Sequence, residues 1–170
     1  MIETLDNQPT MSARRTEDSL PFQASKELHD AVQSILVDFL ELQAQAKQAH
    51  WNISGFSFRS LHLQLDEVAT LAQAKADVFA ERLKALGASP DGTTDTVART
   101  TTLPALPTGQ LDSVEGGRKI WGKLSSVAQS LRSAHADIDR EDPATGDLLN
   151  AAVQELEKQA WMLREQVQRL

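Results

Sequence analysis

Four long stretches of this 170-residue chain repeat their apolar residues at steps that alternate between four and three. That rhythm marks a helix with one buried face. From about 25 to 51 the set is Leu28, Val32, Ile35, Phe39, Leu42, Ala46 and Ala49, with Ser25 placed to cap the start. From about 58 to 86 it is Leu61, Leu65, Val68, Ala72, Phe79, Leu83 and Leu86, and Gly87 is a natural stop. From about 111 to 138 it is Trp121, Leu124, Ala128, Leu131, His135 and Ile138. From about 143 to 168 it is Leu149, Ala152, Leu156, Ala160, Leu163 and Val167, with Pro143 suited to the first turn. No alternating strand pattern competes with these stretches.

The expected fold is all-α. Between the second and third helices lies "GASPDGTTDTVARTTTLPALPTGQ", residues 87 to 110, a connection long enough to carry a small element of its own. Four long helices with one long crossover at this place make a four-helix bundle of ferritin-like arrangement. Residues 1–23 lack apolar periodicity and read as a flexible N-terminal tail, which leaves 24–170 as a single bundle domain. At 41% hydrophobic residues, the chain can build a real core.

The absence of cysteine removes disulfides, thiolate metal sites and cysteine nucleophiles, and fits a reducing cytoplasm. No apolar run of membrane-spanning length and no secretory leader are read. A net charge of −7 makes the chain a poor electrostatic partner for nucleic acid unless its cations are gathered on one surface.

The second helix carries the chemistry. On an ideal helical wheel with His62 at zero, Asp66 lies near about 40°, Asp77 near about 60° and Glu81 near about 100°. The apolar set clusters around roughly −60° to −120°. One face therefore packs into the bundle, while the other presents two ligand pairs at i, i+4 spacing, His62/Asp66 and Asp77/Glu81. The pairs lie about 16 Å apart along a rigid helix, too far to share one ion within one chain. A second, antiparallel copy of the helix, related by a two-fold axis near Leu71 and Ala72, would set each pair opposite its complement. Such self-complementarity is what a two-fold dimer requires. Ala69, Thr70 and Gln73 leave room for close approach. His50, at the end of the first helix, would join His62 and Asp66 across the turn at Gly55.

Two imidazoles and three carboxylates suit Fe(II), Mn(II) or Zn(II), and several carboxylates favour a ferric product. Any one of these residues alone would be ordinary solvated surface. Their joint geometry distinguishes them. His29 and His135 have no such company and read as packed or exposed histidines.

The pattern H-x11-H-x3-D-x10-D-x3-E, here His50, His62, Asp66, Asp77 and Glu81, resembles the ferroxidase motif of the Dps proteins, the DNA-binding proteins from starved cells. "HWNISGFSF", "ERLKALGASPDGT" and "DPATGDLLNAAVQELEKQAWML" are similar to that family's other recurrent stretches, so the likeness spans about 25 to 168. The resemblance implies a four-helix subunit with a short extra helix in the crossover, assembled as a hollow homo-dodecamer. It implies ferroxidase sites shared between two subunits, where Fe(II) is oxidised preferably by hydrogen peroxide and stored as ferric mineral, sparing DNA from oxidative damage. It also implies that Trp51 traps stray oxidising equivalents, a role weighed equally with plain packing. Asp142 and Asp147 match acidic positions near the pores through which iron enters, although a solvated surface is the stronger reading for them.

The chain departs from the family's DNA-binding members. Its tail sets Arg14 and Arg15 against Glu3, Asp6, Glu17 and Asp18 and has no lysine, and the chain ends in "REQVQRL". Weak or absent DNA binding at physiological salt is expected. Three other readings remain. A ferritin or bacterioferritin would carry Glu-x-x-His inside its own bundle, and no such motif occurs. A nucleoid-packaging protein with little ferroxidase activity is disfavoured by the tail charges. A purely structural bundle would tolerate Asp66→Asn without loss of activity.

Overall fold

The computed structural model describes residues 22–168. The expected tail therefore lies outside the described residues save for its last two positions, and Arg14 and Arg15 lie outside with it. The elements run α1 (Lys26–Asn52), β1 (Ile53–Ser54), α2 (Phe58–Ala85), α3 (Thr94–Thr100), β2 (Leu111–Asp112), α4 (Ser113–Glu141) and α5 (Pro143–Gln168). The four long helices start and stop within about three residues of their expected positions, because the punctuation acts as read. Ser25 accepts from the Leu28 amide. Gly87, at φ 88°, takes the left-handed conformation, and the Gly87 and Ala88 amides close onto the Lys84 and Leu83 carbonyls. Pro143 opens α5.

Contacts at the helix ends fix the topology. α1 is antiparallel to α4, since the Ser25 amide donates to Glu141 at 2.6 Å at one end while Ile53 pairs with Leu111 at the other. α2 is parallel to α4: a Cβ on Gly117, near the start of α4, would meet Leu61 of α2 at 3.1 Å, and Arg82 near the end of α2 reaches Asp142. Parallel neighbours require a connection the length of the bundle, and residues 86–110 provide it.

That connection runs along α1 in the same direction and is pinned by polar contacts. His29 Nε2 donates to the Leu86 carbonyl at 3.0 Å. The Gln33 amide donates to the Asp91 carbonyl at 2.7 Å. Buried Asp38 accepts from Thr101 Oγ1 at 3.0 Å, from the Thr102 amide at 2.8 Å and from Thr102 Oγ1 at 2.6 Å. The Pro104 carbonyl accepts from Gln45 and from buried Lys123. Desolvation lowers the Lys123 ammonium from its ordinary pKa. The short α3 is the extra element expected in this connection.

The core is contiguous. Phe39 and Phe79 stack at its centre, with ring centroids 5.6 Å apart. The apolar sets read for α1, α2 and α5 are all buried. α4 differs: Trp121 and His135 sit half-buried at the edge of the face, and Ile120 and Val127 take the interior positions. Among the described residues no helix is long and apolar enough to cross a membrane.

Candidate metal centre

Five residues separate α1 from α2, and they bring His50 and His62 together. The corner turns through Gly55 at φ 105° and Ser57 at φ 59°, both in the left-handed region. It is braced from outside. β1 and β2 pair in parallel, Ile53 with Leu111 and Ser54 with Asp112. Gln110 donates to Ser54 Oγ at 2.6 Å, and Ser113 Oγ donates to the Phe56 carbonyl. Gly116 of α4 makes room for the corner: a Cβ there would lie 2.6 Å from Ile53. The end of the crossover thus holds the turn that carries both histidines.

The two imidazoles bond reciprocally. His50 Nδ1 donates to the His62 carbonyl at 2.8 Å, and His62 Nδ1 donates to the His50 carbonyl at 2.9 Å. The rings stack with centroids 3.7 Å apart and planes 20° from parallel. A carbonyl oxygen can only accept, so both protons must sit on Nδ1. In its neutral form each ring so bonded carries its lone pair on Nε2. This is how metal-binding histidines are commonly oriented, with the far nitrogen committed to a backbone carbonyl.

Asp66, one helical turn after His62, is half-buried and ion-paired with Lys47 of α1 at 2.6 Å. The Lys47 hydrogen bond, working against desolvation and helped by the Lys47 charge, holds the Asp66 carboxyl below its ordinary pKa. Lys47 was not singled out in the sequence. Its place one turn before His50 is the signal that would have flagged it.

Asp77 and Glu81 lie further along α2, both exposed, and neither makes a hydrogen bond or ion pair among the described residues. Within one chain no group of three or more His, Asp or Glu side chains among the described residues is gathered closely enough to hold an ion. The single chain thus joins His50 to His62, sets Asp66 near them, and leaves Asp77 and Glu81 apart. Trp51, beside His50, is 67% exposed.

The two acidic residues weighed as iron-entrance positions differ. Asp147 is exposed on the first turns of α5. Asp142 is buried at the α4–α5 corner and bonds Arg82 and Thr145. Burial works to raise its carboxyl, but the Arg82 and Thr145 hydrogen bonds outweigh it and hold the pKa below the ordinary value.

The ferritin-like domain family matches residues 29–170. The chain is 34% identical over 155 residues to the DNA protection during starvation protein 2 of Deinococcus radiodurans, covering 91% of this chain and spanning 62% of that protein's length. It is 32% identical over 159 residues to the DNA protection during starvation protein of Agrobacterium fabrum, covering 93% of this chain and 98% of that one. The solved structure of Dps from Microbacterium arborescens in the high iron form superposes with a TM-score of 0.76 at 29% identity, over 86% of this chain and 98% of the other. On the family match from residue 29 onward and on these relatives, the chain belongs to the Dps family of ferritin-like proteins.

Proposed function

We propose that this protein is a ferroxidase and iron-storage protein whose active sites are shared between two subunits. The observation that carries the reading is the reciprocal His50–His62 pair, which leaves two Nε2 lone pairs unengaged beside an acidic side chain. Asp77 and Glu81, exposed and unpaired among the described residues, supply the other half from a partner in which α2 runs antiparallel. Imidazole and carboxylate donors accept Fe(II) and favour the ferric product. Fe(II) is here the substrate. Two Fe(II) ions each lose one electron to one hydrogen peroxide, whose O–O bond breaks and, with two protons, leaves as two waters. No hydroxyl radical is released, and DNA is spared by removal of both reactants.

Lys47 takes the place of a cation at Asp66 and must yield it when iron binds. Trp51, beside His50, is placed to give up an electron to a stray oxidant. Ferric product accumulates inside a hollow dodecamer, and Asp147 is the better of the two acidic candidates for a route inward, since Asp142 is committed to Arg82. Protection runs through iron and peroxide, with little direct DNA binding. The high iron form of the Microbacterium Dps supports the assignment of iron.

The test is Fe(II) oxidation by stoichiometric peroxide, followed by ferric absorbance. Asp66→Asn and Glu81→Gln should each be slow. Co-expressed, they should form hybrid dimers in which one site has lost both residues and the other is intact. Random pairing then restores about a quarter of the wild-type sites. Wild-type rates in both single variants, or no recovery in the hybrid, would refute the shared site.

A further inference from the structure

His62 has an aromatic neighbour that the donor set does not use. Phe58 lies one helical turn before it on α2, with ring centroids 5.0 Å apart and planes 33° from parallel. Spacing of i, i+4 puts the two side chains on one helix face, the later leaning back over the earlier. His62 stacks in turn on His50 at 3.7 Å. Phe58, His62 and His50 therefore form a run of three rings across the α1–α2 corner.

The hydrogen bonds alone do not fix the ring planes. His62 is held by one bond from Nδ1 to the His50 carbonyl, and the χ2 torsion of histidine is broad. A ring bonded at one nitrogen can swivel about that bond and carry Nε2 with it. What touches the ring faces decides the tilt, and the ring contacts of His62 are with His50 and Phe58. Phe58 contributes little to the bundle core, being 42% exposed. Among the described residues its ring contact is with His62.

We propose that Phe58 is a positioning residue. It sets the plane of His62 and, through the stacked pair, that of His50. Both Nε2 lone pairs are then in place before a divalent ion arrives, and the cost of ordering them is met in folding rather than in binding. This inference rests on the metal-site reading above.

Its test uses Co(II) alone, without oxidant, on the full-length protein. Affinity is read by calorimetry and ligand geometry by the visible absorption of the bound ion. Phe58→Leu keeps an apolar side chain but no ring; Phe58→Tyr keeps the ring. His62→Ala is the control for the site itself. All are compared on fractions of wild-type oligomer size isolated by size exclusion, which separates positioning from assembly. Phe58→Leu should weaken Co(II) binding about tenfold, the lower end of the range for lost outer contacts of a metal-binding histidine, and should alter the spectrum. Phe58→Tyr should restore both. If Phe58→Leu binds with wild-type affinity and spectrum, positioning is wrong while the site stands. If the Tyr and Leu variants are equally impaired, the ring face is not what matters, and the proposal fails. If His62→Ala binds as wild type does, the metal-site reading is wrong and the positioning role falls with it.

Discussion

Asp38→Ala probes what holds the crossover to the bundle. The carboxylate is buried in the middle of α1 and accepts three hydrogen bonds, from Thr101 Oγ1, the Thr102 amide and Thr102 Oγ1. Thr102 is exposed and Thr101 half-buried, so their hydroxyls can turn to water when the acceptor is gone. Bonds to a carboxylate are worth about 1.5 to 3 kcal/mol each, and relief of the carboxylate's own burial offsets part of the loss, which leaves about 3 kcal/mol for the three together. α1 and α2 keep their own packing, so the loss should appear as local opening of the segment around α3. At about 1.4 kcal/mol per factor of ten, the Thr102 amide should exchange its hydrogen about a hundredfold faster. Native-state hydrogen exchange measures this directly. Asp38→Asn, which keeps one acceptor oxygen, should fall between the two. If Thr102 and Leu103 exchange at wild-type rates in Asp38→Ala, the carboxylate is not the pin, and apolar contacts such as buried Leu103 hold the crossover instead.

Two further outcomes follow from the charged pairs. Lys47→Gln should tighten Co(II) binding by about threefold, the scale of a partly exposed ion pair, because Asp66 no longer has to release an ammonium; unchanged or weaker binding by calorimetry would make Lys47 a support of the site rather than a competitor. Asp142 has a folded pKa below its unfolded value, so its contribution is present above an ordinary carboxyl pKa of 3.8 and is lost as pH falls through the lower, folded value. Arg82→Gln removes the main opposing influence on a buried carboxyl. Its acid unfolding, followed by circular dichroism, should begin at higher pH than in wild type, and coincident curves would refute the pairing.

The long helices were legible because their information is local. The alternation of four and three specifies a face, and Ser25, Gly87 and Pro143 specify ends, whatever the rest of the chain does. α4 shows the limit. Trp121 and His135 lie on the right side of the helix but at its margin, since the width of the buried stripe depends on how neighbouring helices cross. The β1–β2 ladder was not legible, because two residues cannot display a period and their pairing spans nearly sixty positions.

The same division runs through the site. Sequence spacing alone grouped His62 with Asp66 and Asp77 with Glu81 and separated the two pairs along one rigid helix, because helical geometry converts sequence distance directly into space. Only the folded corner decided that His50 and His62 exchange Nδ1 hydrogen bonds with each other's carbonyls. It alone brought Lys47 onto Asp66 and stacked the His50 ring on that of His62. Those contacts depend on a left-handed turn at Gly55 and Ser57, braced by residues from the far end of the crossover. Tautomer, charge partner and ring plane are properties of side chains that meet across elements, and no one-dimensional pattern carries them.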